Sequence, residues 1–179
     1  AAFSVSGQFV MPMDLTDRPQ YKSEAGRTVF GGGGITPDLF VAPETLDATE
    51  RNAVFRLYRA GGAFTVALFN FSVSYVREHP ELESGFELSD SDLEAFFATL
   101  PQFGANVERS AFMQGARFVR YQLEREVALQ AWGDEGQFLH AQKYDRQLNT
   151  ALDMLRRVTT TSELIDAVIR AETEQNQNR

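Results

Sequence analysis

Four consecutive glycines, Gly31-Gly32-Gly33-Gly34, are the most conspicuous candidate for chemistry in this sequence. A glycine run can present backbone N–H groups to a phosphate, above all where a helix begins directly after it. A P-loop needs Lys followed by Ser or Thr at that point, whereas Ile35-Thr36-Pro37-Asp38 follows here. Pro37 and the apolar residues after it also oppose a helix. The sequence therefore predicts a tight turn in which glycine adopts positive φ angles.

The two histidines of the chain, His79 and His140, are candidate metal ligands or general bases. They lie far apart in the sequence, and no cysteine is present to complete a ligand set. The G-x-S-x-G pattern of a hydrolase nucleophile elbow is also missing. His79 directly precedes Pro80 and is predicted to end a helix, and His140 is predicted to lie on a helix surface or at an interface. We expect no metal site and no bound cofactor.

Lysine and carboxylate side chains offer a second route to acid–base chemistry. Lys22 could serve as a general base if it were buried and desolvated. Its neighbours are polar, so the sequence predicts a solvated loop. Of the two close carboxylate pairs, Asp90 and Asp92 are predicted to cap a helix, and Glu124 and Glu126 to lie on a solvated helix face.

Composition excludes several classes of protein. The chain has 179 residues with 17 Lys and Arg against 25 Asp and Glu, and its net charge of −8 opposes nucleic-acid binding. Hydrophobic residues make up 43% and include 15 Phe, enough for a packed core. The absence of Cys excludes disulfides and thiolate chemistry. The sequence has no apolar run of transmembrane length and no complete signal peptide at its start. Because it lacks an initiator Met, we expect it to be processed or part of a longer protein.

The elements that must position these residues change in kind near Pro43. Before it, short strands are predicted at 8–11, 28–30 and 39–41, separated by turns rich in Pro, Gly and Asp. So few short strands cannot form a self-sufficient sheet. We therefore expect their partners to lie upstream in a longer chain or in another protomer.

After Pro43 the pattern is helical almost to the end. Helices are predicted at 47–60, 64–78, 90–100, 106–132 and 135–158, then one capped by Thr161 or Ser162, with a frayed polar tail at 172–179. The helix at 64–78 also carries Val66, Phe69 and Val73 outside its main apolar stripe and is predicted to be central. An aromatic cluster is predicted to be core, with a groove for an apolar peptide as the alternative. The cluster comprises Phe64, Phe69, Phe71, Tyr75, Phe96 and Phe97.

One motif, between Tyr21 and Asp38, is more specific than its chemistry alone. It contains Gly26-Arg27, Val29, the four glycines, Ile35 and Pro37-Asp38. It resembles the end of the core in the carboxyl-terminal processing (tail-specific) serine peptidases, where a pattern like Y-x-T-x-x-G-R-x-V-Y-G-G-G-G-I-x-P-D precedes an apolar strand. Phe30 replaces the family's usual Tyr, and Ser23 replaces a common Thr. Residues 69–75, FNFSVSY, also resemble an F-x-F-A-x-x-Y element found after the core in some members.

The resemblance implies a fold, an activity and a location. Members of that family combine a ClpP/crotonase-like core, a Ser nucleophile and a Lys general base, often with a PDZ domain that binds substrate tails. They cleave proteins near their C-termini in the bacterial cell envelope. In them both catalytic residues precede the Gly-Arg motif, with the Lys well upstream, whereas Lys22 stands next to that motif here. The resemblance therefore implies no catalytic residue in this chain. It implies a structural turn formed by Gly26, Arg27, Gly31, Gly32, Gly33, Gly34, Ile35, Pro37 and Asp38.

Two hypotheses follow for fold class and function. In the first, the fold is α+β and mostly α, with residues 1–43 as the last strands of the peptidase core and residues 44–179 as a helical C-terminal domain. That domain would serve structure, regulation or oligomerisation, and the chain alone would be inactive. The expected partners are the upstream core with its PDZ domain, unfolded protein substrates of the periplasmic parent, and further copies of the chain. In the second hypothesis, the chain is a stand-alone helical protein-binding module without catalysis.

Overall fold

Two units make up the part of the chain that the computed structural model describes, which comprises residues 2–10, 16–23, 28–32, 34 and 36–177. One unit contains Ala1–Val10 and Pro43–Asp145, and the other contains Met11–Ala42 and Arg146–Arg179. The described residues are mostly α-helical and form two small antiparallel sheets of two strands each. The predicted α+β class with a dominant helical share is thereby confirmed.

The first unit contains one hairpin and most of the helices. Its strands β1 (Ala2–Phe3) and β2 (Phe9–Val10) pair antiparallel. Its helices are α1 (Ala48–Leu57), α2 (Ala63–Glu78), α3 (Asp90–Thr99), α4 (Arg109–Gln114) and α5 (Ala116–Gln142). Short 3₁₀ helices follow α1 and α3, at Tyr58–Ala60 and Leu100–Phe103.

Capping boxes fix the start of two helices. Before α1, the Asp47 carboxylate accepts a hydrogen bond from the Glu50 N–H, and the Glu50 carboxylate accepts one from the Asp47 N–H, both at 2.8 Å. Ser89 and Asp92 make the same reciprocal pair before α3, as the sequence predicts. Such caps satisfy N–H groups that the helix leaves unpaired, and each stabilises its helix by about 1 kcal/mol.

Aromatic rings form the centre of the first unit. The Phe64 and Phe96 rings are fully buried and lie 5.7 Å apart in an edge-to-face contact. The ring centroids of Phe71 and Phe96 lie 5.3 Å apart, and those of Phe97 and Phe112 lie 4.9 Å apart. These tilted and edge-on arrangements are the ones that aromatic pairs favour. The prediction of an aromatic core is confirmed for Phe64 and Phe96, with Phe71 and Phe97 packed against them.

Phe69 does not belong to that core. Its side chain is 49% exposed, and Val66 and Val73 are also exposed on α2. The prediction that this helix is central is therefore wrong for one of its faces. The buried residues of α2 are Phe64, Ala67, Leu68 and Ser72. Because the sequence is apolar on several sides of this helix, its periodicity could not indicate which side would be left uncovered.

Two glycines shape the long helical segment that follows. The sequence predicts one helix at 106–132, but α4 begins after Glu108, and Gly115 separates it from α5. At Gly133, predicted to stop the helix, the backbone takes φ 71° and ψ −163°, a conformation essentially restricted to glycine. The helix nevertheless resumes and ends at Gln142. The predicted helix at 135–158 is also wrong, because residues 143–145 are not helical and divide it.

The second unit contains a hairpin and two further helices. Strands β3 (Gln20–Lys22) and β4 (Thr28–Phe30) pair antiparallel. Helices α6 (Arg146–Leu155) and α7 (Thr161–Gln177) follow later in the chain. α7 extends into the polar segment predicted to fray, and residues 178–179 lie outside the described part.

The strand predictions agree with the structure only in part. The strand at 28–30 is confirmed, and the one at 8–11 is confirmed as Phe9–Val10, while Met11 lies outside the described residues. β3 occupies a predicted loop, because a strand with no buried face shows no alternation of apolar and polar residues. The predicted strand at 39–41 is wrong. The carbonyl of Val41 there accepts a hydrogen bond from the Gln147 side chain, at an N–O distance of 2.8 Å, and not from a strand.

Candidate functional site

The glycine motif begins directly after the second strand of the β3–β4 hairpin. β4 ends at Phe30, and the N–H of Gly31 then donates to the carbonyl of Pro19 at 2.9 Å, which extends the pairing by one residue. A Cβ atom at Gly31 would lie only 2.8 Å from the Tyr21 ring. Glycine at this position therefore lets the aromatic ring of one strand rest against the backbone of the other.

Two of the next glycines take the positive φ angles that the sequence predicts. Gly32 and Gly34 have φ angles of +82° and +83°, which confirms that positive φ angles explain these glycines. Residues 36–47 contain no helix, so the arrangement of a phosphate-binding loop before a helix N-terminus is not formed. Pro37 and Asp38, the end of the motif, are exposed. Gly26, Arg27, Gly33 and Ile35 lie outside the described residues.

The β3–β4 hairpin has unusually little to hold it in place. All residues of β3 are exposed, and none of β4 is buried. No third strand joins the pair within the described ranges. A two-stranded sheet without a packed face is marginally stable in water, and its unpaired edge groups are a template for a further strand. The hairpin is therefore a candidate docking site for another strand.

Lys22, the candidate base, and the hydroxyls of Ser4 and Ser6 each make a structural hydrogen bond within their own hairpin. Lys22 is exposed as predicted, but it lies in a strand, and its Nζ donates to the Thr28 Oγ1 across the hairpin at 2.7 Å. Such a Lys lacks the burial that a general base of this kind requires. Ser4 Oγ lies 2.7 Å from Ser6 Oγ and accepts the N–H of Gln8 at 3.0 Å. These hydroxyls stabilise the turn between β1 and β2.

The densest polar cluster of the described residues surrounds Glu124 on α5. Its side chain is 1% exposed. Oε1 accepts the backbone N–H of Leu88 at 3.1 Å. Oε2 lies 2.8 Å from the Tyr144 hydroxyl, 2.9 Å from Lys143 Nζ and 3.1 Å from His140 Nε2. We refer to Glu124, Leu88, His140, Lys143 and Tyr144 as the Glu124 cluster.

The Glu124 cluster holds a charge inside the first unit. Burial alone would raise the pKa of Glu124, but hydrogen bonds from His140, Lys143, Tyr144 and the Leu88 amide outweigh it and lower the pKa to about 2. Burial and the hydrogen bond to Glu124 raise the pKa of Tyr144. The carboxylate thus stays ionised with several donors around it. A group so fully engaged is a structural clamp and not an acid or base ready for a substrate.

The second ring nitrogen of His140 also faces an acceptor. Nδ1 lies 3.3 Å from the carbonyl oxygen of Ser84, and the ring stacks on Phe86 with centroids 4.6 Å apart. The His140 and Glu124 side chains are both buried. The prediction of a solvated helix face is therefore wrong for Glu124, and of the two positions predicted for His140 the helix surface is wrong. No fixed spacing in the sequence predicts this cluster, because its members lie in different segments. Leu88 lies in a loop, Glu124 and His140 lie on the two sides of the Gly133 kink, and Lys143 and Tyr144 lie in the turn after α5.

The remaining candidates are helix-end and surface residues. His79 is the C-terminal cap of α2, as predicted, with Nδ1 2.8 Å from the Tyr75 carbonyl oxygen and its ring stacked on Tyr75. Asp92 caps α3, and Asp90 pairs with Arg120 at 2.6 Å. Among the described residues, no group of three or more His, Cys, Asp or Glu is placed to hold a metal ion. Nor does any described helix combine the length and apolar character that a membrane span needs.

Comparison with known proteins adds no relative: no family model, no curated protein and no solved structure matches this chain. The resemblance to tail-specific peptidases therefore rests on the sequence motif at residues 21–38 alone.

Proposed function

We propose that this chain is the C-terminal, non-catalytic portion of a tail-specific serine endopeptidase of the bacterial periplasm. The parent enzyme cleaves proteins near their C-termini with a Ser/Lys dyad that lies upstream of residue 1. The β3–β4 hairpin completes the ClpP/crotonase-like core, and the helical remainder serves structure, regulation or oligomerisation.

The observation that carries this proposal is the unsupported hairpin. Strands Gln20–Lys22 and Thr28–Phe30 coincide with the family-like motif, and their pairing leaves both outer edges unused among the described residues. One exposed and one half-buried strand gain little burial to offset the entropy of ordering them. Hydrogen bonding to a larger sheet would supply both partners and burial.

Amide hydrogen exchange tests the docking of the hairpin. We expect the amides of residues 20–22 and 28–32 to exchange rapidly in this chain and at least tenfold more slowly in the protein translated from the whole reading frame. Amides of α5 at 118–128, buried in the first unit, serve as the internal control and should exchange equally in both proteins. Equal exchange rates of the hairpin amides in both proteins would contradict the proposal.

A second candidate function is a stand-alone protein-binding module. The specific observation in its favour is the pair α6 and α7, in which no described residue is buried while Leu155, Ile165 and Ile169 are exposed. Amphipathic helices with uncovered apolar residues are typical of helix-mediated recognition. Under this alternative the hairpin exchanges equally in both proteins, and replacement of Ile165 and Ile169 by Asp abolishes partner binding without altering the circular dichroism of the chain.

A further inference from the structure

The register of the β3–β4 hairpin determines which of its backbone groups point inward and which point outward. In an antiparallel pair, opposite residues alternate between pairs that exchange hydrogen bonds and pairs that do not. The N–H of Gly31 donates to the carbonyl of Pro19, which lies opposite it when the register is continued by one residue, at 2.9 Å. The next opposite residues, Gln20 and Phe30, are therefore a non-hydrogen-bonded pair. Their N–H and C=O groups point away from the hairpin.

The same alternation directs the backbone groups of Lys22 and Thr28 outward. These two residues face each other two positions along from Gln20 and Phe30, so they form the next non-hydrogen-bonded pair. Side chains lie closest in such pairs, which agrees with the 2.7 Å hydrogen bond from Lys22 Nζ to Thr28 Oγ1. Each edge of the hairpin thus presents the N–H and C=O groups of two residues that lie two positions apart. This is the spacing that an extended strand matches.

The two edges differ in charge and in exposure. All residues of β3 are exposed, and β3 contains the charged Lys22. Charged side chains, lysine above all, discourage further pairing at a sheet edge. β4 consists of Thr28, Val29 and Phe30, which are uncharged, half-buried and of residue types that strands favour. The edge of β4 is therefore the better template for a further strand.

The shortness of β4 selects the source of that strand. Each backbone hydrogen bond to Thr28 or Phe30 favours pairing only a few-fold, because the same groups otherwise bond to water. Two separate molecules would lose more through their translational and rotational freedom than these few bonds supply. A strand of the same polypeptide is already held nearby by the chain and avoids most of that loss. The edge therefore suits a strand of the parent protein better than a free peptide or a second copy.

We propose that one extended strand from the upstream part of the parent protein pairs with β4 through the backbone of Thr28 and Phe30, and that β3 remains the outermost strand of the completed sheet. This inference rests on the proposed function, which supplies the upstream part, and adds the strand through which the hairpin docks. The pairing gives β4 the second neighbour that it lacks among the described residues. Main-chain groups make the bonds, so the partner strand needs no particular side chain for them.

Amide exchange resolved at single residues tests the choice of edge. Relative to this chain, the protein translated from the whole reading frame should show at least about tenfold more slowing for Thr28 and Phe30 than for Gln20 and Lys22. The amide of Val29, which points into the hairpin, is the reference for the stability of the hairpin itself. Greater slowing at Gln20 and Lys22, or equal slowing on both edges, would overturn the inference and leave the proposed function standing. Unchanged exchange on both edges would contradict the proposed function, and this inference with it.

Proline substitutions test the edge and leave the hydrogen bonds inside the hairpin in place. Phe30→Pro removes an outward N–H from β4, and Gln20→Pro, the matched control, removes one from β3. In the protein from the whole reading frame, Phe30→Pro should return the Thr28 amide to its exchange rate in this chain. Gln20→Pro should change that rate by less than about threefold.

A third variant separates the lost N–H from the lost ring. Phe30→Ala keeps the backbone N–H and removes the aromatic side chain, so the Thr28 amide should stay slow in the protein from the whole reading frame. Fast exchange of Thr28 in Phe30→Ala, or equal effects of Phe30→Pro and Gln20→Pro, would overturn the inference.

Discussion

Glu124 shows at the residue scale how this chain keeps a charge inside a protein interior. An isolated buried carboxylate would cost several kcal/mol and would instead bind a proton. Here Lys143 and His140 approach the same oxygen, while the Leu88 amide engages the other. The cluster joins the loop before α3 to the end of α5. Its energetic role is therefore to fix the segment beyond the Gly133 kink.

Replacing Glu124 tests this role. Glu124→Gln leaves the buried His140 and the partly exposed Lys143 facing a neutral amide. We expect a loss of roughly 3 kcal/mol in the free energy of unfolding, measured by urea denaturation. Glu126→Gln is the control: Glu126 accepts a hydrogen bond from the Gln130 side chain on the same helix and should change stability by less than about 0.5 kcal/mol. Similar losses for both variants would show that the cluster is not a clamp.

The depressed pKa of Glu124 also predicts a pH dependence. The folded-state pKa lies at about 2, below the value of 4.5 for the free group, so folding releases a proton from Glu124 between these values. Its contribution, roughly 3 kcal/mol, is fully present above pH 4.5 and is lost as the pH falls towards 2. Denaturation measured from pH 6 to pH 2 should show a steeper decline for the natural chain than for Glu124→Gln. Parallel pH profiles would contradict this assignment.

At the scale of elements, local signals in the sequence predict well where a helix starts. They predict poorly which face of the helix is buried. The capping box at Ser89 and Asp92 predicts α3 because it is a local hydrogen-bond pattern. The exposure of Phe69 and the burial of Glu124 depend instead on which neighbour covers each face, and neighbours come from distant segments. Gly133 indicates a helix end, but the helix resumes after it and ends at Gln142. His140, in this second part, contacts Glu124 and Ser84, which are distant in the sequence.

The Gly133 kink gives a test at this scale. With φ 71° and ψ −163°, any side chain at this position is strained, and Gly133→Ala should cost about 1–3 kcal/mol of stability in thermal or urea unfolding. Gly85→Ala is the control, since a Cβ atom there meets open space and the φ angle is not positive. If Gly133→Ala were as stable as Gly85→Ala, the kink would not be a fixed feature of α5.

At the scale of the whole molecule, the sequence predicts the class of the fold and the glycine turn, but not the grouping of segments. A change in composition near Pro43 predicts a boundary there, and the division into 1–43 and 44–179 stays a prediction. In the structure, the hairpin segment Met11–Ala42 groups with Arg146–Arg179 instead. That grouping arises from contacts between residues far apart in the chain, which neither propensity nor periodicity encodes.

The proposed function places the catalytic Ser and Lys outside these 179 residues, so it concerns the whole molecule. Lys22 is exposed and hydrogen-bonds Thr28, whereas Ser4 and Ser6 hydrogen-bond within the turn between β1 and β2. Under the proposed function, the contribution of the chain is a set of docking surfaces that includes the β3–β4 hairpin.

The most direct test is cleavage of an unstructured protein such as casein by two purified proteins, this chain and the translation product of its whole reading frame. The account predicts no cleavage by the chain alone, and cleavage by the whole product that is lost when an upstream Ser is replaced by Ala. Cleavage by the chain alone that disappears with Ser4→Ala or Ser6→Ala, or an inactive whole product, would contradict it.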